Sequence, residues 1–205
     1  HEAGVQREAL VVLPGSGAVV GRALVDSPLV DMVAFTGSME VGTEIYERAA
    51  QVTLARGGVK RVIAEMGGKN AIVVFPDADL DDAVRAVLRS AFSHAGQKCS
   101  ACSRVLVHEA VADRFTERLV AAARGLPMGP ADDPGTVVNP VVSPLAKERL
   151  VAHLGAIHAE SEVLLEGVSQ PGCLVGPTIV RVAPEDAATA YASQVEMFGP
   201  IVAVT

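Results

Sequence analysis

A chain of 205 residues with a formal net charge of −7 and no dense block of Lys or Arg offers no surface for tracking nucleic-acid phosphates, so a small-molecule partner is expected. Hydrophobic residues make up 50% of it but aromatics only 3%, so Val, Ala, Leu and Ile must build the core, which suits packed sheets and helices. No apolar run approaches the ~20 residues that span a bilayer, the opening His1-Glu2-Ala3-Gly4 is neither a charged nor an apolar leader, and an odd, sparse set of three cysteines fits a reducing cytoplasm better than a disulfide framework.

Apolar β-rich runs alternate with helical patterns over residues 10–13, 19–25, 32–35 and 41–50, an order that predicts parallel strands with crossover helices. A second series opens with strands at 61–64 and 71–75. The latter, Ala71-Ile72-Val73-Val74-Phe75, is unbroken and apolar and predicts a central strand covered on both faces. Next, Leu80, Ala83, Val84, Val87, Leu88, Ala91, Phe92 and Ala95 recur at helical spacing, with Asp79 placed to cap the helix and Asp82 at the capping-box position. Asp81, Asp82, Arg85 and Arg89 fall outside that stripe and read as a solvated face. After a cysteine-bearing loop, a strand is predicted at 104–107, then a helix over 110–124 that buries Val111, Phe115 and Leu119 and ends on Gly125 as a C′ glycine. A turn-rich connector at 129–135, a helix over 147–159 and strands at 163–165, 178–182 and 201–204 follow. No internal repeat or low-complexity tract is visible. The chain starts without a methionine and stops inside an expected strand, so both ends are expected to be cut.

Five segments can carry chemistry. Gly15-Ser16-Gly17-Ala18-Val19-Val20-Gly21 joins a predicted strand to a predicted helix, whose free N–H groups can accept a pyrophosphate. Its spacing departs from the usual dinucleotide fingerprint, and Arg22-Ala23 replaces the Lys-Ser/Thr of a P-loop, so a plain glycine turn is the competing reading. Phe35-Thr36-Gly37-Ser38 is a second such junction, in which Ser38 is read equally as an ordinary helix cap. In Gly96-Gln97-Lys98-Cys99-Ser100-Ala101-Cys102, the two cysteines allow half a zinc site, a redox pair, or a nucleophile with an unrelated neighbour. Zinc wants about four ligands, and no second Cys-x-x-Cys or paired His motif completes a set, so no metal is expected. The pair also follows a helix and precedes a strand, unlike a thioredoxin-type motif. Finally, Glu65 ends a strand before Gly67-Gly68, where partial burial could tune a general base, and Glu196-Met197-Phe198-Gly199-Pro200 sets a carboxylate and a ring beside a turn.

In this order, Phe35-Thr36-Gly37-Ser38, Glu65-Met66-Gly67-Gly68-Lys69, Gly96-Gln97-Lys98-Cys99 and Glu196-Met197-Phe198-Gly199-Pro200 match the F-T-G-S, E-L-G-G-K, G-Q-x-C and E-x-F-G-P motifs of the aldehyde dehydrogenase superfamily. The chain resembles that superfamily along its whole length. Residues 61–71 and 96–104 resemble in particular the 1-pyrroline-5-carboxylate dehydrogenase family, also called L-glutamate γ-semialdehyde dehydrogenase, whose reaction ends proline breakdown. Asn139-Pro140 and Gly176 before Pro177-Thr178 depart from the family's usual residues, away from the proposed chemistry.

The resemblance implies an α/β fold: the end of a Rossmann-like NAD-binding domain over 1–64, then most of the catalytic domain over 65–205, incomplete at its C-terminus. It implies oxidation of an aldehyde with NAD as cofactor, NADP being left open, through Cys99 as nucleophile and Glu65 as general base. Gly17, Gly21, Gly37, Ser38, Met66, Glu196 and Phe198 fall to the cofactor, and Ser100 to the substrate. Lys98 is read as solvated and Cys102 as a packed neighbour. A homo-oligomer, or fusion to a flavin-dependent proline dehydrogenase, is implied for the parent, whose oxyanion-hole asparagine and substrate-anchoring loop would lie outside this chain. The chain alone is therefore expected to be inactive. Another aldehyde substrate class, a non-catalytic binding or scaffold fragment, and a Cys99–Cys102 redox module are the alternatives.

Overall fold

Gly67 and Gly68 stand at the seam between two units, His1–Gly67 and Gly68–Thr205. The structure, a computed structural model, describes residues 3–205 apart from the side chains of Arg7 and Arg56; His1 and Glu2, where the reading of the N-terminus begins, lie outside the described residues.

In the first unit a π-helical turn at Gly17–Gly21 leads into α1 (Arg22–Asp26), followed by β1 (Met32–Gly37), α2 (Met39–Arg56) and β2 (Arg61–Met66). β1 and β2 are parallel, in register from Met32↔Arg61 to Gly37↔Met66, and α2 is the crossover between them. Ser38 starts α2 by accepting from the Val41 N–H at 3.3 Å. Gly57 stops it at φ 73, a left-handed turn that glycine makes without a Cβ penalty. Ile45 and Ala49 of α2 and Val25 of α1 are buried, as is Lys60, whose ammonium donates to the carbonyls of Val25 (2.5 Å) and Ser27 (2.7 Å) and so closes the end of α1. The strand expected at 10–13 is absent: these residues have no regular secondary structure, are unpaired among the described residues and are exposed. β-rich composition cannot make a strand without a partner, and β1 and β2 pair with each other. β2 runs through Met66, and the two units divide between Gly67 and Gly68.

The second unit contains β3 (Asn70–Val74), α3 (Leu80–Phe92), β4 (Cys102–Val107), α4 (Ala112–Arg124), α5 (Pro144–Glu160), β5 (Glu162–Leu165), β6 (Thr178–Arg181), α6 (Tyr191–Gln194) and β7 (Ile201–Val204). Its strands form one sheet in the order β3-β4-β7-β6-β5, parallel except where β5 meets β6. Alternation along the strands sends Ile179, Val202 and Val204 into a core with Val84, Val87 and Phe92 of α3 and Phe115 and Leu119 of α4. Their neighbours Val180, Ile201 and Ala203 face Leu150, Leu154 and Ile157 of α5. β3 is an edge strand, not a central one, and leaves Val73 and Phe75 exposed. An apolar run reports what a strand could bury; strand order is set by segments far away in sequence.

Asp79 caps α3 by accepting from the N–H groups of Asp81 (2.9 Å) and Asp82 (3.0 Å), bonds that hold its carboxyl below the usual range. The capping box does not close, because Asp82 pairs with Arg85 instead, and Asp81 is engaged by Arg118 of α4 at 2.6 Å. α5 starts at Pro144, three residues earlier than expected, with Ser143 accepting from Ala146 N–H at 3.1 Å. Gly125, expected as a left-handed cap, sits at φ −90 in a tight last turn bonded to Ala122. α3 ends at Phe92 rather than Ala95, and His94 (φ 55) and Ala95 (φ 51) are left-handed.

Candidate active site

In the first unit the π turn and α1 face β1 and α2 across an open cleft of about 490 Å³, lined by Gly17, Gly21, Val25, Val33, Phe35, Val41 and Ile45. Its rim is ionic: Arg22 pairs with Glu44 at 3.0 Å, and Arg48 reaches Glu44 at 3.6 Å and Asp26 at 2.9 Å. Nothing lies within 4 Å of where a Cβ would stand on Gly17 or Gly21, so both leave free space in front of their backbone. Gly37, Ser38 and Met66 do not line this cleft. A Cβ on Gly37 would overlap the Phe35 ring, the Ser38 hydroxyl caps α2, and the Met66 sulfur packs where a Cβ of Gly42 would be. Glu65, exposed, is the next-to-last residue of β2 and pairs with Thr36. It belongs to the first unit, whereas Cys99 belongs to the second.

In the second unit the backbone leaves α3 through left-handed His94, Ala95 and Gly96 (φ 66) and then turns into the cysteine loop. The Asn70 amide donates to the carbonyls of Cys99 (2.6 Å) and Ala101 (3.2 Å), and Ala101 N–H closes a turn on Lys98 O at 3.0 Å. Before the cysteine, Gln97 Oε1 accepts from Val142 N–H at 3.0 Å; after it, Cys102 N–H donates to Ser90 Oγ at 3.0 Å. The loop is pinned on both sides while the Cys99 thiol and the Ser100 side chain stay exposed. Cys102 is 3% exposed, its Sγ lies 3.1 Å from Arg104 O, and burial pushes its pKa up, which disfavours the nucleophilic thiolate there. Lys98, read as solvated, is half-buried with its ammonium 3.4 Å from Ser93 Oγ.

Glu196 and Phe198 lie between α6 and β7 and share a small recess with Gly68, Lys69, Gly96 and Cys102. Phe198 has φ 49, a left-handed conformation that costs a residue with a side chain, and is 47% exposed. Gly96 and Gly199 bring the two loops together: a Cβ on Gly96 would overlap the Gly199 carbonyl, and one on Gly199 would overlap Leu150. Within this unit Cys99 thus lies on one loop and Glu196 and Phe198 on another, and the two loops meet where Gly96 approaches Gly199.

Three residues that the sequence reading quoted without a role prove to organise this region. Arg104 donates from Nε (3.1 Å) and a terminal nitrogen (2.8 Å) to the Lys69 carbonyl; the Lys69 ammonium donates to Ala192 O at 2.9 Å; Asn70 holds the cysteine loop. Burial, then the nearby Arg104 charge, lowers the Lys69 pKa to about 8 against the opposing pull of Glu196 and Cys102. Only the position of Lys69 after Gly-Gly between two strands hinted at this.

A parallel α/β layer with an exposed, pinned cysteine between a helix and a strand agrees with the class the motifs suggested: residues 1–205 match the aldehyde dehydrogenase family, and the chain belongs to it. It is 41% identical over 206 residues to 1-pyrroline-5-carboxylate dehydrogenase of Bacillus subtilis, a match covering 100% of this chain and 39% of that protein. Among solved structures it superimposes on proline utilization A from Bdellovibrio bacteriovorus inactivated by N-propargylglycine, with 43% identity and a TM-score of 0.91, over 99% of this chain and 21% of the other. It also matches 1-pyrroline-5-carboxylate dehydrogenase from Thermus with bound NAD, with 35% identity and a TM-score of 0.92, over 99% and 39% respectively. The expected fold is therefore correct, and the chain spans about 39% of the length of the curated relatives it matches. Among the described residues no helix is long and apolar enough to cross a membrane.

Proposed function

We propose that the whole protein oxidises an aldehyde to a carboxylate through a cysteine adduct, with NAD as cofactor and L-glutamate γ-semialdehyde as substrate. One observation carries the reading: of the two cysteines in the loop, the motif cysteine is exposed on a backbone pinned from both sides, and the other is buried. The substrate assignment is supported by the names of the relatives, and NAD by the Thermus structure. The chain's own residues fit a dinucleotide, because the first-unit cleft is roomy, largely apolar, and bordered by two glycines without side chains in the way.

Gly17 and Gly21 would border the cofactor, with Gly37, Ser38 and Met66 assigned to it by motif, and Glu196 and Phe198 would hold the nicotinamide ribose and ring. When bound, NAD supplies a hydride acceptor. The Cys99 thiolate adds to the carbonyl carbon, and loss of hydride from that tetrahedral adduct leaves a thioester on its sulfur. Cys99's own N–H serves as an oxyanion donor. Glu65 takes a proton from the water that cleaves the thioester, releasing the carboxylate and the thiolate. Ser100, exposed beside the nucleophile, contacts the substrate. In domain terms, residues 1–64 end the NAD-binding domain and 65–205 carry the thiol. The cysteine usage supports a cytoplasmic location, and the resemblance supports a homo-oligomer. A fused arrangement is supported by the proline utilization A relative, of which this chain covers only 21%.

The test uses the whole protein. Cys99→Ala should abolish turnover and covalent labelling by a thiol reagent, while Cys102→Ala leaves labelling nearly intact; equal loss in both removes Cys99 as sole nucleophile. Glu65→Gln should keep a single burst of NADH and slow the steady state, since only thioester hydrolysis needs the base. A missing burst would assign Glu65 to an earlier step.

A further inference from the structure

A lysine taken largely out of water normally meets a carboxylate. Lys69 instead gives its ammonium to a main-chain carbonyl, Ala192 O at 2.9 Å, and feels Glu196 through space without forming an ion pair. Its own carbonyl is gripped by the Arg104 fork at 2.8 and 3.1 Å, so the backbone from which the side chain springs is held. Ala192 opens the segment 192–199. The start of that segment is further anchored by Tyr191, whose N–H donates to Glu160 Oε2 (3.1 Å) and whose hydroxyl meets His153 Nδ1 (2.7 Å). Its far end is anchored by Gly199, tight against Leu150 and against Gly96 of the cysteine loop. Between these anchors lie Glu196 and the left-handed Phe198.

We propose that Lys69 is a positioning residue whose charged ammonium fixes residues 192–198 and thereby sets Glu196 for the nicotinamide ribose. The role rests on the reading above in which Glu196 holds that ribose. It has a pH signature. With a pKa lowered to about 8, first by burial and then by Arg104, the ammonium is charged below that pH and neutral above it. The groups acting on it or sensing it are Arg104 and Cys102 on β4, Glu196 in the segment itself, and His153 on α5, where Arg149 adds a further positive charge. The ribose contact should therefore be complete below pH ~8 and fade as pH rises through that value.

The experiment measures the dissociation constant of NAD for the whole protein from about pH 6.5 to about pH 9.5, in the wild type, Lys69→Arg, Lys69→Met and Glu196→Gln. The wild type should loosen roughly 5- to 10-fold across the upper half of that range, the scale of one hydrogen bond's net contribution. Lys69→Arg, which stays charged, should rescue tight binding and flatten the profile. Lys69→Met should bind at every pH as weakly as the wild type does at the alkaline end, with Cys99 labelling retained. A purely structural lysine would give no flattening in the Arg variant. The positioning role is overturned if Lys69→Arg keeps the wild-type decline, or if Lys69→Met binds normally at neutral pH while Glu196→Gln binds weakly. If Glu196→Gln itself binds NAD normally, the reading of Glu196 falls and the positioning role falls with it.

Discussion

The two units use the same vocabulary of parallel strands and crossover helices, yet they bury side chains very differently. In the second unit β7 is buried at all four positions and both faces of the sheet around it are covered, by α3 and α4 on one side and α5 on the other. In the first, β1 alternates between exposed and half-buried positions, α2 buries only Gly42, Ile45 and Ala49 among its described side chains, and its two-stranded sheet leaves Met32 and Ile63 more than half exposed. The unit with the thiol is thus a packed platform, whereas the unit with the cleft buries few apolar side chains within these 205 residues. Local opening costs least where few apolar groups are buried, so within these 205 residues taken by themselves the first unit should be the more easily opened, mobile half and the second the rigid half.

The largest expected effect tests that contrast directly. Phe115→Ala removes a ring with 0% exposure from the second unit's core and should destabilise that unit by about 3–5 kcal/mol, whereas Ile45→Ala in the first should cost about 2 kcal/mol, the low end for its type. Urea unfolding of the 205-residue chain, read with hydrogen exchange, should show amides of α2 opening well before those of α3 and β4. Equal protection of the two helices would erase the distinction between platform and mobile half.

Next in size come two glycines. Gly96 has φ 66, and an added methyl would overlap the Gly199 carbonyl, so Gly96→Ala should cost about 2–3 kcal/mol and change the rate of Cys99 labelling. Gly21 is helical, at φ −60 and ψ −47, with open space before it, so Gly21→Ala should stabilise the fold by about 0.5–1 kcal/mol. If the cleft takes the cofactor, the same methyl should weaken NAD binding in the whole protein. A Gly21→Ala variant that is more stable and binds NAD unchanged would move the cofactor out of the cleft.

What could be read from sequence, and what could not, divides along the same physical line. α3 was legible because its stripe, its cap at Asp79 and its length are all local, and Leu80, Val84, Val87, Ala91 and Phe92 are indeed its buried face. The missing strand at 10–13 and the edge position of β3 were illegible because pairing and strand order depend on distant partners. In the site, motif spacing marked Cys99, Glu196 and Phe198. It could not show that Asn70 pins the Cys99 carbonyl, or that Lys69 reaches Ala192, since those contacts join residues that sequence keeps far apart. The left-handed His94 and Ala95 are the sharpest case. Neither residue type asks for positive φ; the close approach of Gly96 to Gly199 goes with it.

The smallest expected effect separates two uses of one hydroxyl. Ser38 in the first unit and Ser143 in the second both cap helices, accepting from N–H groups at 3.3 and 3.1 Å. On capping alone, Ser38→Ala and Ser143→Ala should each cost about 1 kcal/mol, Ser143 slightly more because its bond is shorter and partly buried. Ser38→Asp keeps the acceptor and adds a negative charge that the N-terminus of α2 favours, so thermal stability should hold or rise by about 0.3–1 kcal/mol. A dinucleotide phosphate resting on that same helix end would meet the new carboxylate as a like charge. If Ser38 serves the cofactor, Ser38→Asp should therefore fold as well as the wild type yet bind NAD at least tenfold more weakly in the whole protein. Ser143→Asp, the control in the platform unit, should change neither property appreciably. Unchanged NAD affinity in Ser38→Asp would reduce Ser38 to a cap and leave Gly17, Gly21, Gly37 and Met66 as the first unit's candidate cofactor residues.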